Sequence, residues 1–279
     1  MKNKAILLAV LVVVAFSACE NIFEDTIANK DSAEADAEDL ELALSRRNYD
    51  AVIKGLGFDP DATADPTQAE LAALRTREKY LLQMAWLGKT GFSTVDVLDA
   101  FLKDDSGHTS DILLQSFSSG DLASNDVLDF KQKRYKWTKK IQEADAADDK
   151  NIKTAAGIAA TLDTLMSVMR VANALAGTDV SFNKDDPNYI GNIIGGKTPT
   201  EIEAEIDTVF DLSGSGNLDS IQENIELLNG TIISLVPDGD TDMYDKFNEF
   251  ITTFDADGDG QIDTIDKTSL AEFIYNQWH

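Results

Sequence analysis

When the segment from Ile152 to Ala176 is drawn as a helix, it is apolar on nearly every side. A helix of this kind is stable in water only when other elements cover it, so it predicts a helical core built around this segment. Asp163 and Arg170 lie within it, and charged side chains are rare and costly in the middle of a membrane span. We therefore predict a central core helix in an all-α fold rather than a transmembrane helix.

The composition narrows the classes of function. Of the 279 residues, 43% are hydrophobic, enough for one large or two modest cores. There are 50 acidic residues against 24 lysines and arginines, a net charge of −26, which repels nucleic-acid phosphates and predicts no nucleic-acid partner. Two histidines and one cysteine leave little material for a zinc site or a histidine-dependent triad. Neither His108 nor His279 has a visible nucleophile beside it, so we predict a protein that is not an enzyme.

The first 19 residues have the pattern of an export signal. Lys2 and Lys4 precede an apolar run of 12 residues at 5–16, shorter than the roughly 20 residues that a membrane span needs. Small residues then lead directly to Cys19. This arrangement resembles a bacterial lipoprotein precursor. The resemblance implies removal of residues 1–18, acyl chains such as palmitate on Cys19, and anchoring to a membrane of the bacterial cell envelope, on its periplasmic or outer-surface side.

The region after the signal has helical patterning. Apolar residues recur at helical spacing over 40–56 with a break near Arg47 and Asn48, which predicts two short antiparallel helices. A longer amphipathic helix is predicted from the apolar residues at 71–87, with its end at Gly88 or Gly91.

The stretches 43–57 and 80–101 resemble the helical hairpins of tetratricopeptide repeats. In that family an aromatic side chain fills the gap between paired helices, and the resemblance gives this role to Tyr49. No period of about 34 residues runs through the chain, so an ordinary helical bundle is the alternative.

The segment 125–150 continues the helical pattern and concentrates positive charge. Six of the 24 bases lie within ten residues, namely Lys131, Lys133, Arg134, Lys136, Lys139 and Lys140. One interpretation is a solvated helix face whose bases balance neighbouring acids. The other is a docking patch for lipid headgroups or an acidic partner.

Aspartates and glycines alternate in the run DADGDGQIDTID at 255–266. Calcium prefers about six to eight oxygen ligands, and carboxylates at alternate positions of a tight turn, which Gly260 permits, can surround one ion. The run resembles an EF-hand calcium loop. The resemblance implies that the ligands are Asp255, Asp257, Asp259, the carbonyl of Gln261, Asp263 and Asp266. Because Asp266 replaces the longer glutamate usual at the last position, we expect a dissociation constant of about 10⁻⁴ to 10⁻³ M.

A related run lies 44 residues earlier and repeats the spacing. Its corresponding positions are Asp211, Ser213, Ser215, Asn217, Asp219 and Gln222. Uncharged side chains replace several ligands, so we expect weak cation binding or none. A capping box at 198–201 begins the incoming helix, and we predict that Leu218 packs against Ile262 to complete an EF-hand pair. A dockerin-like interaction module is the alternative, since dockerin loops also close with aspartate.

Together these patterns predict a signal peptide at 1–18, an acidic tether at 19–38, a helical domain at 39–177, a linker at 178–197 and an EF-hand pair at 198–279. We expect a calcium-binding, membrane-anchored lipoprotein that acts as an interaction or scaffold protein for an unidentified protein partner. The ion would stabilise or gate the C-terminal helices. The alternative is a helical, solute-associated component of a transport system with structural calcium, which a hydrophobic pocket between helices would favour.

Overall fold

The computed structural model describes residues 32–92, 122, 124–177, 189–210, 218–235 and 265–278. Of these residues 76% are helical and none lies in a β-strand, which confirms the all-α fold. The helices in these ranges are, in chain order, α1 (Ser32–Ser45), α2 (Tyr49–Gly55), α3 (Gln68–Ala72), α4 (Thr76–Lys89), α5 (Asn125–Glu143), α6 (Lys150–Ala176), α7 (Tyr189–Ile194), α8 (Pro199–Phe210), α9 (Asp219–Leu235) and α10 (Lys267–Trp278).

The predicted core helix is present as α6, with 27 residues. It begins where Asp149 Oδ1 accepts the backbone N–H groups of Asn151 and Ile152 at 2.8 and 3.2 Å, and it ends at Gly177, whose φ of 72° is left-handed. Among the described helices, α6 is the one that is long and apolar enough to cross a membrane. However, 89% of its most apolar 18-residue segment is buried inside the protein. This burial confirms its position at the centre of the core.

Two hydrophobic clusters surround α5 and α6. The larger cluster joins α6 to α8, α9 and α10, for example through Ile206, Leu228 and Ile274. The smaller cluster contains Trp86 and Trp137, whose rings meet edge to face with centroids 5.4 Å apart. The larger cluster includes residues on both sides of the predicted linker 178–197, and the linker range itself contains α7. The C-terminal helices therefore share a core with α6.

The first described helix begins earlier than the patterning predicted. It starts at Ser32 rather than at Asp39, so residues 32–38 of the predicted extended tether are helical. The reason is composition, because this stretch consists largely of alanine and glutamate, which are strong helix formers. Cys19 and the rest of the tether lie outside the described residues.

The predicted break near Arg47 is confirmed. Helix α1 ends at Ser45, Arg47 adopts a left-handed φ of 58°, and the Asn48 side chain caps α2 by accepting the Ala51 N–H at 3.4 Å.

The single helix predicted over 71–87 is wrong, because the structure divides it into α3 and α4. Glu78 Oε2 accepts the backbone N–H of Arg75 at 2.8 Å, and Glu78 Oε1 lies 2.6 Å from Arg75 Nη2. This reciprocal contact begins a new helix at Thr76 within an otherwise continuous apolar pattern.

Helices α2 and α4 approach each other closely where Tyr49 lies against Gly88. A Cβ added at position 88 would overlap the Tyr49 ring. The ring therefore occupies the space that a larger residue would need.

Replacing Gly88 with alanine should lower the free energy of unfolding by about 1 to 3 kcal/mol, since the new methyl group overpacks the contact with Tyr49. The net effect is destabilising because the cost of the overlap should exceed the roughly 1 kcal/mol that alanine gains over glycine in a helix. Gly230→Ala is the matched control, because a Cβ at this helical glycine meets nothing within 4 Å and should stabilise the protein. Chemical unfolding followed by circular dichroism measures both. Equal stabilisation by the two substitutions would contradict the packing of Tyr49.

Candidate functional site

Most residues of the two predicted calcium loops lie outside the described ranges. They are Asp211, Ser213, Ser215, Asn217, Asp255, Asp257, Asp259, Gln261 and Asp263, together with the packing residue Ile262. Within the described ranges there is no group of three or more His, Cys, Asp or Glu side chains that could hold a metal ion. The described parts of the loops are their last residues, which include Asp219, Gln222 and Asp266.

Asp266, the predicted final calcium ligand, lies at the start of α10. Its Oδ1 accepts the backbone N–H of Ser269 at 2.8 Å and the Ser269 hydroxyl at 3.0 Å. The bond from the backbone N–H of Ser269 is the main cause of a lowered pKa for Asp266, so this carboxylate stays ionised. Oδ1 of Asp266 therefore caps the helix, and Oδ2 takes no part in these two bonds.

The ends of the two loops meet through backbone groups. The N–H of Leu218 donates to the carbonyl of Ile265 at 3.3 Å, and the N–H of Ile265 donates to Gln222 Oε1 at 3.4 Å. The side chain of Gln222, at the end of the first loop, therefore contacts the backbone at the end of the second loop. These bonds hold residues 218–222 and residues 265–266 side by side.

The helices that flank the loops pack against each other. The predicted capping box starts α8, since the Thr198 N–H donates to Glu201 Oε2 at 2.8 Å and the Glu201 N–H donates to the Thr198 hydroxyl at 3.3 Å. Lys267 at the start of α10 binds Asp207 of α8 with an N–O distance of 2.5 Å. Helices α8 and α10 also contribute to the larger hydrophobic cluster. The entering helix of the first loop and the exiting helix of the second are thus joined.

Two of the six bases in the basic segment of α5 are buried inside the protein. Lys131 and Arg134 are each only 2% exposed, which neither interpretation of the sequence predicted. Lys131 donates to the carbonyl of Thr90, and burial lowers its pKa to about 8. Arg134 Nη2 donates to the Pro60 carbonyl at 2.7 Å, and its guanidinium lies 4.0 Å from the centre of the Trp137 ring. These two buried bases therefore donate hydrogen bonds to backbone carbonyl oxygens.

The loop between α2 and α3 is the main partner of the basic segment. Lys133 donates to the Thr63 carbonyl, and Lys136 and Lys140 lie 3.2 and 3.0 Å from Asp65 Oδ2. The indole N–H of Trp137 donates to Asp65 Oδ1 at 2.9 Å and is the main cause of a pKa far below the ordinary value for Asp65. Side-chain cations thus hold this loop against α5.

A buried polar cluster joins α5, α6 and α9, and we call it the polar junction; its residues are Gln132, Lys139, Asp163, Ser167, Arg170 and Asn224. Asp163 Oδ2 lies 2.7 Å from Lys139 Nζ and accepts Asn224 Nδ2 at 3.1 Å, while Oδ1 accepts Gln132 Nε2 at 3.1 Å. Asn224 Oδ1 also accepts a hydrogen bond from Lys139. Each polar group has a partner, so the junction fixes how α9 lies on α5 and α6.

Sequence reasoning missed the polar junction. Asp163 was visible as a charge in an apolar helix, and that signal indicates a buried polar pair as well as the absence of a membrane span. Its partner Asn224 lies 61 residues away and has no distinctive pattern around it.

No family model, curated protein or solved structure matches the chain.

Proposed function

We propose that this chain is a calcium-binding lipoprotein of the bacterial cell envelope that acts as a non-enzymatic interaction or scaffold protein. The acyl chains on Cys19 attach it to the membrane, and Ca²⁺ binds the loop at 255–266. The observation that carries the proposal is the contact between the two loop ends, in which the Leu218 N–H bonds the Ile265 carbonyl. Two loops of repeated spacing that meet in this way support an EF-hand pair.

The proposed ion braces the helices that follow the loops. Without a cation, the carboxylates of 255–266 repel one another at separations below the Debye length of about 8 Å. Helix α9 begins at Asp219 beside the loop contact and reaches Asn224 of the polar junction within two turns. Helix α9 therefore connects the loops directly to α5 and α6. This connection supports a bracing or gating role for the ion.

Calcium should raise the melting temperature of the purified protein. An ion present at about 100 times its dissociation constant adds roughly 2.7 kcal/mol of stability, which corresponds to about 5 to 10 °C for a chain of this size. Asp255→Ala should abolish both the heat of calcium binding and the thermal shift. Asp126→Ala, at an exposed acid on α5, is the matched control and should retain both. A wild-type protein that does not bind calcium, or an unchanged shift in Asp255→Ala, would reject this loop as the site.

The transport-associated alternative receives less support from the described residues. A hydrophobic pocket between helices would favour it, whereas the cleft between α5 and α9 is lined mainly by charged side chains such as Lys136, Lys140 and Glu223.

A further inference from the structure

The cleft between α5 and α9 has a volume of about 900 Å³. Ligand sites in proteins commonly have volumes of about 300 to 1,000 Å³. Asp163 and Lys139 of the polar junction also line it, but they already bind each other and Asn224. The groups with remaining capacity lie on the two walls.

The α5 wall carries a surplus of positive charge. Lys136 and Lys140 share one oxygen of one carboxylate, Asp65 Oδ2. On this side of the cleft four lysines, Lys133, Lys136, Lys139 and Lys140, face three carboxylates, Asp65, Glu143 and Asp163, which leaves one positive charge in excess. The side chains of Lys136 and Lys140 are 59% and 25% exposed, so a ligand can reach them. We call this pair the cationic pole.

The α9 wall carries a surplus of negative charge. Asp219 and Glu223 are both exposed and lie four residues apart, so they share one face of the helix. Like charges at this spacing destabilise a helix by a few tenths of a kcal/mol. Among the described residues neither carboxylate forms an ion pair with a base. We call this pair the anionic pole.

We propose that the cleft binds a short peptide with free termini, whose carboxylate lies at the cationic pole and whose ammonium group lies at the anionic pole. A simple anion would satisfy only Lys136 and Lys140, and a simple cation only Asp219 and Glu223. A short peptide carries both charges and occupies more of a cleft of this volume than a single amino acid does. Its backbone amides also match the hydroxyl group of Ser220, which lines the cleft. This binding requires no metal ion.

Calorimetric titration of the purified protein with trialanine tests the inference. The experiment is run in chelator at pH 6.5, where an α-amino group with a pKa of about 7.7 to 8.0 is charged. Trialanine should bind at one site. N-acetyl-trialanine and trialanine amide should each bind at least about tenfold more weakly, because each lacks one charged hydrogen-bonding terminus.

Variants assign each terminus to its pole. Lys136→Gln should weaken the binding of trialanine but should have no further effect on trialanine amide. Glu223→Gln should weaken the binding of trialanine but should have no further effect on N-acetyl-trialanine. Lys153→Gln is the matched control, because Lys153 pairs with Asp148 outside the cleft and its loss should leave affinity unchanged.

Three results would overturn the inference. The first is the absence of trialanine binding at millimolar concentration. The second is equal affinity for the free and the blocked peptides, and the third is the same loss of affinity in Lys153→Gln as in Lys136→Gln. Because the titration contains chelator, none of these outcomes depends on whether the loop at 255–266 binds calcium.

Discussion

Asp163→Asn should lower the free energy of unfolding by about 3 to 5 kcal/mol, the typical cost of removing one partner from a buried ion pair. Asp163 is 7% exposed, and its carboxylate holds Lys139, Asn224 and Gln132. Asparagine keeps the shape but loses the charge, and it places an amide N–H₂ group where an acceptor is required. Lys139 would then remain largely buried without its anionic partner. Urea unfolding followed by circular dichroism measures the change.

The matched control for this substitution is Asp148→Asn. Asp148 also binds a lysine of the chain, Lys153 at 2.7 Å, but its side chain is 74% exposed. Exposed ion pairs contribute about 0.2 to 1 kcal/mol. Asparagine also tolerates the left-handed φ of 57° at position 148, so the backbone adds no penalty. Equal losses in the two variants would contradict the polar junction.

A double substitution separates the ion pair from the packing around it. Replacing Asp163 with leucine and Lys139 with methionine removes both charges and keeps apolar volume. The double variant should recover most of the stability lost by Asp163→Asn, since a buried pair is often no more stable than well-packed apolar residues. Asn224 would lose two partners, so recovery should be incomplete.

Local patterns in the sequence were sufficient for several elements of this fold. The apolar character of 152–176 on nearly every side predicted α6, and the Thr198 to Glu201 capping box predicted the start of α8. Both signals depend on residues within one or a few turns. The division between α3 and α4 was missed because the contact of Arg75 with Glu78 competes with a continuous apolar pattern.

The sites were harder to predict because their partners are distant in the chain. Arg134 binds a carbonyl 74 residues away, and Asp163 binds Asn224 across 61 residues. A run of bases looks the same in sequence whether its members face water or a carbonyl oxygen. The predicted calcium loop is the opposite case, since its proposed ligands lie within 12 consecutive residues, 255–266, and spacing alone predicts the chemistry.

Lys131→Met should change how stability depends on pH. Lys131 is 2% exposed, and burial lowers its pKa from the ordinary 10.5 to about 8. Between these values the unfolded chain binds more protons at this site than the folded protein does, so the Lys131 contribution to stability rises with pH. Below pH 8 both states are charged there and the folded protein bears the full cost of burying the ammonium group. That cost is about 3 kcal/mol.

The measurement is the difference in unfolding free energy between Lys131→Met and the wild type at pH 7.5 and at pH 10.5. The variant avoids the buried charge but leaves the Thr90 carbonyl without its lysine donor, so the sign of the difference at one pH is not diagnostic. The change between the two pH values is diagnostic, because the lost hydrogen bond affects both. As the pH rises from 7.5 to 10.5, the wild type should gain about 2 to 3 kcal/mol of unfolding free energy relative to the variant. Lys54→Met, which replaces an exposed lysine of α2, is the matched control. A constant difference for Lys131→Met would mean that this ammonium group is stabilised in the folded protein as well as it is in water.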